Sequence, residues 1–190
     1  MELIPNEDIF MSKTIAMIPA RLGSKRVKNK NLRLINGKPL ISYVVSSAID
    51  SNVFDEIYIN SESDIFKRIA DDLGVKFYKR SPDLSTDVAT NDQFTLDFIE
   101  NIGCNTVIQL LATSPFLNSD DIIGFVNEMK SKKYETLVSV SSAQIECVYD
   151  GKPINFNQKG ETLPSQTLKP IHIYACGIMG WDTERYIENM

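Results

Sequence analysis

Five cations, Arg21, Lys25, Arg26, Lys28 and Lys30, fall within ten residues around a single glycine, Gly23, directly behind the apolar run Thr14-Ile-Ala-Met-Ile18. Cations this close repel one another unless something negative sits among them. A strand that runs out into a glycine-containing loop also points backbone N–H groups outward, where an anion can be held. An arginine offers a planar fork for bidentate phosphate contact and a lysine a mobile point charge, a pairing suited to a polyphosphate whose charge rises when a phosphate leaves. A solvated basic turn would carry the same charges and bind nothing, and charge alone does not separate the two. The familiar phosphate signatures do not fit. The loop lacks GxxxxGK[ST], and no GxGxxG follows the strand, which argues against P-loop ATP hydrolysis and against a dinucleotide fingerprint.

The elements that must position this loop alternate along the chain. Residues 14–18, 56–60, 75–78, 106–111 and 136–140 read as strands. Between them, Leu40, Val44 and Ala48 repeat at helical spacing, and the turn at residues 36–39 ends in a proline suited to the start of that helix. Ser61 with Asp64 suggests the next helix start, with Ile65, Ile69 and Leu73 as its apolar stripe and Gly74 as its stop. Thr90 and Gln93 fit a capping box ahead of Phe94, Phe98 and Ile102, with both phenylalanines expected in the core. Ile122, Val126 and Met129 mark another helix. Residues 147–168, rich in Gly, Pro, Asn and Gln, suggest a hairpin or excursion from the sheet. Residues 170–179 read as a last strand with a kink, with His172 expected as a hydrogen-bonded core residue, and residues 183–190 as a last helical turn or two. Strands alternating with helices predict an α/β layered fold with a largely parallel sheet. Ligands in such folds bind beyond the carboxyl ends of the strands, so the loops at 20–31, 79–90 and 112–118 should share one edge.

A chain of 190 residues, 43% hydrophobic and 24% charged, is long enough for one sizeable core. Its net charge of −5 argues against a general nucleic-acid or membrane-surface binder and makes the basic loop a local exception. Three scattered cysteines and one histidine suggest neither a disulfide framework nor a zinc site, and the natural setting is a reducing cytoplasm. Residues 1–13 lack the pattern of a signal peptide and read as an N-terminal extension to a single domain over 14–190.

Taken together, Ile18-Pro-Ala-Arg-Leu-Gly-Ser-Lys-Arg26, Lys30-Asn31-Leu32 and Asn36-Gly-Lys-Pro-Leu-Ile41 resemble the opening signature of the acylneuraminate cytidylyltransferase (CMP-sialic acid synthetase) family. The likeness continues in Lys79-Arg-Ser-Pro-Asp-Leu-Ser-Thr-Asp-Val-Ala-Thr90 and in Ala112-Thr-Ser-Pro-Phe-Leu117. CMP-Kdo synthetases share the Ile-Pro-Ala-Arg opening, but the Ser-Lys and Lys-Asn continuation is closer to the sialic-acid branch. The resemblance implies a Rossmann-like, GT-A-like nucleotidyltransferase fold and a soluble cytoplasmic enzyme. Its reaction would transfer CMP from CTP to the anomeric hydroxyl of a nine-carbon 2-keto sugar acid, with Mg²⁺ assisting and pyrophosphate released. It also implies a homodimer formed through an excursion at residues 141–168, and no nucleic-acid or membrane partner. By motif position, Arg21 and Lys30 would neutralise the triphosphate as catalytic groups. Ala20, Leu22, Gly23, Ser24, Lys25, Asn31, Arg80, Thr90 and Asn91 would contact the nucleotide, although a helix cap alone would account for Thr90. Gln109, Thr113 and Ser114 would lie on the sugar side.

The chain departs from the family pattern in two places. Leu110-Leu111-Ala112 stands where the family carries Leu-Gln-Pro, which leaves the sugar acid open among N-acetylneuraminic, legionaminic, pseudaminic and Kdo-like acids. The family's Asp-x-Asp metal motif has no counterpart before Met190, so no metal ligands are assigned and a truncated sequence is expected. The alternatives are another sugar nucleotidyltransferase and a non-catalytic nucleotide-binding homologue.

Overall fold

The computed structural model describes residues 12–24, 27–159 and 164–190. In chain order the strands are β1 (Thr14–Pro19), β2 (Leu34–Ile35), β3 (Lys38–Pro39), β4 (Glu56–Ser61), β5 (Lys76–Lys79), β6 (Thr106–Leu110), β7 (Thr136–Ala143), β8 (Val148–Tyr149), β9 (Lys152–Pro153) and β10 (Ile171–Asp182). The helices are α1 (Leu40–Ser51), α2 (Asp64–Leu73), α3 (Asn91–Ile102), α4 (Ser119–Lys132) and α5 (Thr183–Glu188). Six strands form the central sheet in the order β5-β4-β1-β6-β10-β7. β1 pairs in parallel with β4 and β6, β4 pairs in parallel with β5, and β10 runs antiparallel between β6 and β7. The sheet is mostly parallel, as the alternation of elements predicts.

Strand periodicity divides the core between the two faces of the sheet. Ala16 and Ile18 pack with Ile59, Ile108 and Leu110 under α1, α2 and α4. Ile15 and Met17 pack with Val107 under Phe98 and Ile99 of α3 and Tyr186 of α5. A Cβ at Gly180 of β10 would meet Ile108 Cδ1 and Met129 Sδ at 2.7 Å, so any side chain there would require those two to shift.

Three local expectations are corrected. Helix α2 is capped by Ser63, whose hydroxyl accepts from the Ile65 N–H at 3.4 Å, because Ser61 still belongs to the β4 ladder. Its buried face centres on Phe66 and Ala70, while Ile65 is exposed. His172 does bond Ser142 Oγ through Nδ1, at 2.8 Å, but it is exposed. There β7 and β10 run on beyond the helical layers, so no core covers it. The predicted kink in the last strand lies between Tyr174 and Met179, where the register with β7 shifts and Cys176 takes φ 53°.

At the amino end of β4, Glu56 gathers Lys76, Lys13 at 2.9 Å and the Tyr58 hydroxyl at 2.9 Å. The hydrogen bond from Lys76 leads in holding its carboxyl at about 2, with Lys13 and Tyr58 acting the same way against burial. The unfolded chain, whose glutamate titrates near ~4.3, takes up this proton first. The contribution to stability is therefore complete above about pH 4.3 and is lost as pH falls toward about 2. Urea unfolding across this range should show Glu56→Gln less stable than the parent at neutral pH, with the difference shrinking as the solution is acidified.

Candidate nucleotide site

The loops after β1, β5 and β6 meet at the carboxyl ends of the parallel strands around an open cleft of about 720 Å³. Sites for small organic ligands generally occupy ~300–1,000 Å³. The first loop contributes Ala20, Arg21, Ser24, Val27, Lys30 and Asn31. Arg80 and Asp87 come from the second loop, Phe94 from the first turn of α3, and Leu111, Ala112 and Thr113 from the third.

Backbone bonds set the starting direction of each loop. The Ala20 N–H donates to Asn60 O and the Arg80 N–H to Ser61 O, both at 3.0 Å, so the first two loops leave the sheet against the end of β4. Asn29 takes φ 51° and turns the first loop into a 3-10 turn at Lys30–Leu32, which returns Lys30 and the buried Asn31 to the cleft. Arg21 bridges the cleft walls. Its Nη1 donates to Thr86 O at 3.0 Å, and its Nη2 meets Asp87 Oδ1 at 2.9 Å.

Arg80 is 3% exposed. Its guanidinium lies 4.6 Å from the Phe94 ring centroid, Nη2 donates to Ala20 O at 3.1 Å, and Glu62 Oε2 stands 3.8 Å away. Burial lowers its pKa, Glu62 opposes that shift and Arg21 adds to it. An arginine remains cationic at neutral pH regardless. Arg80 Nε and Asn31 Oδ1 are buried with no partner in the protein. Such an atom costs ~1–3 kcal/mol when left unmade, so two of them beside one cleft mark a place prepared for a polar ligand or for water.

The other expected site residues are placed differently. Thr90 is exposed and serves the capping box, accepting from the Gln93 N–H at 3.2 Å while Gln93 Oε1 accepts from the Thr90 N–H at 2.9 Å. Gln109 is fully buried on the α3 side of β6, where it accepts from Thr95 Oγ1 at 3.2 Å and donates to Asn91 Oδ1 at 2.8 Å. Both ends of its amide are therefore engaged, and its reach is to the start of α3. Thr113 lines the cleft, whereas Ser114 sits behind it against Gly177. Leu22 and Gly23 lie on the loop without lining the cavity, and Lys25 lies outside the described residues.

Sequence reasoning missed Glu62, Asp87 and the stacking of Phe94 on Arg80. Phe94 sits at helical spacing from Phe98, which by itself indicates only a core face. Glu62 follows a strand, and its neighbours are known only once β4 is seen between β1 and β5.

A family profile described as Cytidylyltransferase matches residues 15–163. The chain is 34% identical over 135 residues to an N-acylneuraminate cytidylyltransferase of Streptococcus agalactiae serotype V, covering 70% of this chain and 33% of that one. It is 37% identical over 114 residues to the pseudaminic acid cytidylyltransferase of Campylobacter jejuni, covering 57% and 49%. The chain thus spans about a third to a half of the length of these curated relatives. Among solved structures, CMP:2-keto-3-deoxy-manno-octonic acid synthetase complexed with CTP superposes with a TM-score of 0.70 at 18% identity, over 94% of this chain and 77% of that one. That likeness concerns the fold, a Rossmann-like layered one.

Proposed function

Because the chain belongs to the cytidylyltransferase family, we propose that it transfers CMP from CTP to the anomeric hydroxyl of a sialic-acid-like 2-keto sugar acid and releases pyrophosphate. One observation carries this reading: Arg21, Lys30, Asn31 and Arg80 converge on a single cleft at the carboxyl edge of the sheet. Relatives named for N-acylneuraminate and pseudaminic acid support the choice of acceptor.

In this scheme the anomeric hydroxyl attacks the α-phosphorus and gives up its proton to water, the bond to the bridging oxygen breaks, and negative charge grows on the departing pyrophosphate. Arg21 and Lys30 stabilise that charge from fixed positions, which lowers the barrier without a covalent intermediate. The triphosphate competes with the Asp87 carboxylate for the Arg21 guanidinium. Arg80 and Asn31 hold the nucleotide from the buried floor, with Ala20 and Ser24 offering further contacts along the loop. Asn91 works from the start of α3, and Thr113 faces the sugar side from the cleft wall.

The family resemblance also implies Mg²⁺. Among the described residues no group of three or more His, Cys, Asp and Glu side chains gathers to hold a metal. The carboxylates nearest the cleft are turned to protein partners, Asp87 to Arg21 and Glu62 to Leu22 and Arg80. The described residues do not by themselves furnish a site for the ion.

Residues 14–190 would form the nucleotidyltransferase domain of a cytoplasmic homodimer, with neither nucleic acid nor membrane as a partner. Exposed Val148, Tyr149, Ile154 and Tyr174, on the arm beyond the helical layers, support pairing through residues 141–168. No described helix is long and apolar enough to cross a membrane. The test of the reaction is pyrophosphate release from CTP across a panel of 2-keto sugar acids. A CMP-linked product with one of them is expected, and release with sugar phosphates instead would redirect the reading to another nucleotidyltransferase.

A further inference from the structure

Strand β4 lies between β1 and β5, so the first residue past its end stands between the loops that follow those two strands. That residue is Glu62. Its Oε1 accepts the Leu22 N–H at 2.8 Å from the first loop. Its Oε2 lies 3.8 Å from Arg80 Nη2 in the second and accepts the Ser61 hydroxyl at 3.2 Å. Arg80 Nη2 closes the circuit by donating to Ala20 O at 3.1 Å. One carboxylate thus links the backbone of the cation-rich loop to the buried arginine of the cleft, and it does so without lining the cleft itself.

We propose that Glu62 is a positioning residue for nucleotide binding. It holds the backbone at Leu22, and through that loop the Ala20 carbonyl that accepts from Arg80 Nη2, and acts on the ligand only through them. The inference rests on the reading of the cleft as a CTP site. Its chemistry makes the chain length at this position matter. Glutamine keeps an oxygen at the same reach for the Leu22 N–H, whereas aspartate keeps the charge but ends one methylene short. A group acting only through its negative charge near Arg80 would behave in the opposite way, with CTP affinity kept by aspartate and lost in glutamine.

The test compares Glu62→Ala, Glu62→Gln and Glu62→Asp in the full chain, by hydrogen exchange at the Leu22 amide and by calorimetric titration with CTP. Glu62→Ala and Glu62→Asp should each lose Leu22 protection and bind CTP about tenfold more weakly, ~1.4 kcal/mol. Glu62→Gln should keep protection and stay within about threefold of the parent. Unchanged protection and affinity in Glu62→Ala, or a fall in melting temperature alone, would overturn the proposal, as would a glutamine variant as weak as alanine. If the alanine variant does not fold, the contrast between glutamine and aspartate decides. If the parent itself does not bind CTP, the reading of the cleft fails, while the exchange data still decide whether Glu62 holds the loop.

Discussion

Arg21→Ala should lower the rate of pyrophosphate release by about 10²–10³, the loss typical of removing one fixed charge-stabilising group from a transition state. Arg21 lines the cleft and joins its walls through Thr86 O and Asp87, so the variant loses both a cation and the tie that sets the width of the cavity. Lys30→Ala should follow it closely, because Lys30 is brought back to the cleft by the 3-10 turn. Lys28 is exposed and does not line the cavity, so Lys28→Ala should stay within about threefold, as expected of a screened surface charge. Steady-state kinetics at two salt concentrations make the comparison. Similar losses at all three positions, shrinking together as salt is raised, would mean that the loop contributes only general positive potential.

The largest loss of stability is expected from Phe98→Ala. Phe98 is fully buried in the core on the α3 face, with edge contacts to the rings of Tyr58 at 5.4 Å and Tyr78 at 5.2 Å. Truncating a buried phenylalanine removes its transfer free energy and leaves a cavity, which together cost about 3–5 kcal/mol, with a further contribution from the lost ring pairs. For a chain of this size that corresponds to a fall of about 6–20 °C in melting temperature. Thermal and urea unfolding read it directly, and a change under 1 °C would mean that the core on this face does not pack as described.

The order of elements was readable because each strand and helix keeps its own period. Ala16 and Ile18 face one core and Ile15 and Met17 the other, as strand alternation requires. The stops and caps at Gly74 and at Thr90 with Gln93 were equally legible, since they depend on local backbone chemistry alone. In α2, Ile69 and Leu73 pack against the core as the stripe requires, but Phe66 takes the buried place expected of Ile65, because both are apolar and only the sheet decides which is buried. At the cleft, the cations were visible as residue types but their partners were not. Arg80 depends on Phe94, Ala20 and Glu62, groups that come together only when three strand ends are aligned. Gln109 shows the same limit, because its place on an alternating strand says which neighbours share its face but not that Thr95 and Asn91 occupy its amide.

Whether this cleft binds a cytidine triphosphate is read most directly by calorimetric titration of the full chain with CTP, with ATP as comparison. One saturable CTP site per chain is expected, weakened at least tenfold by Arg21→Ala and little changed by Lys28→Ala, with ATP binding more weakly. Absence of saturable binding, or a CTP affinity indifferent to Arg21, would contradict it.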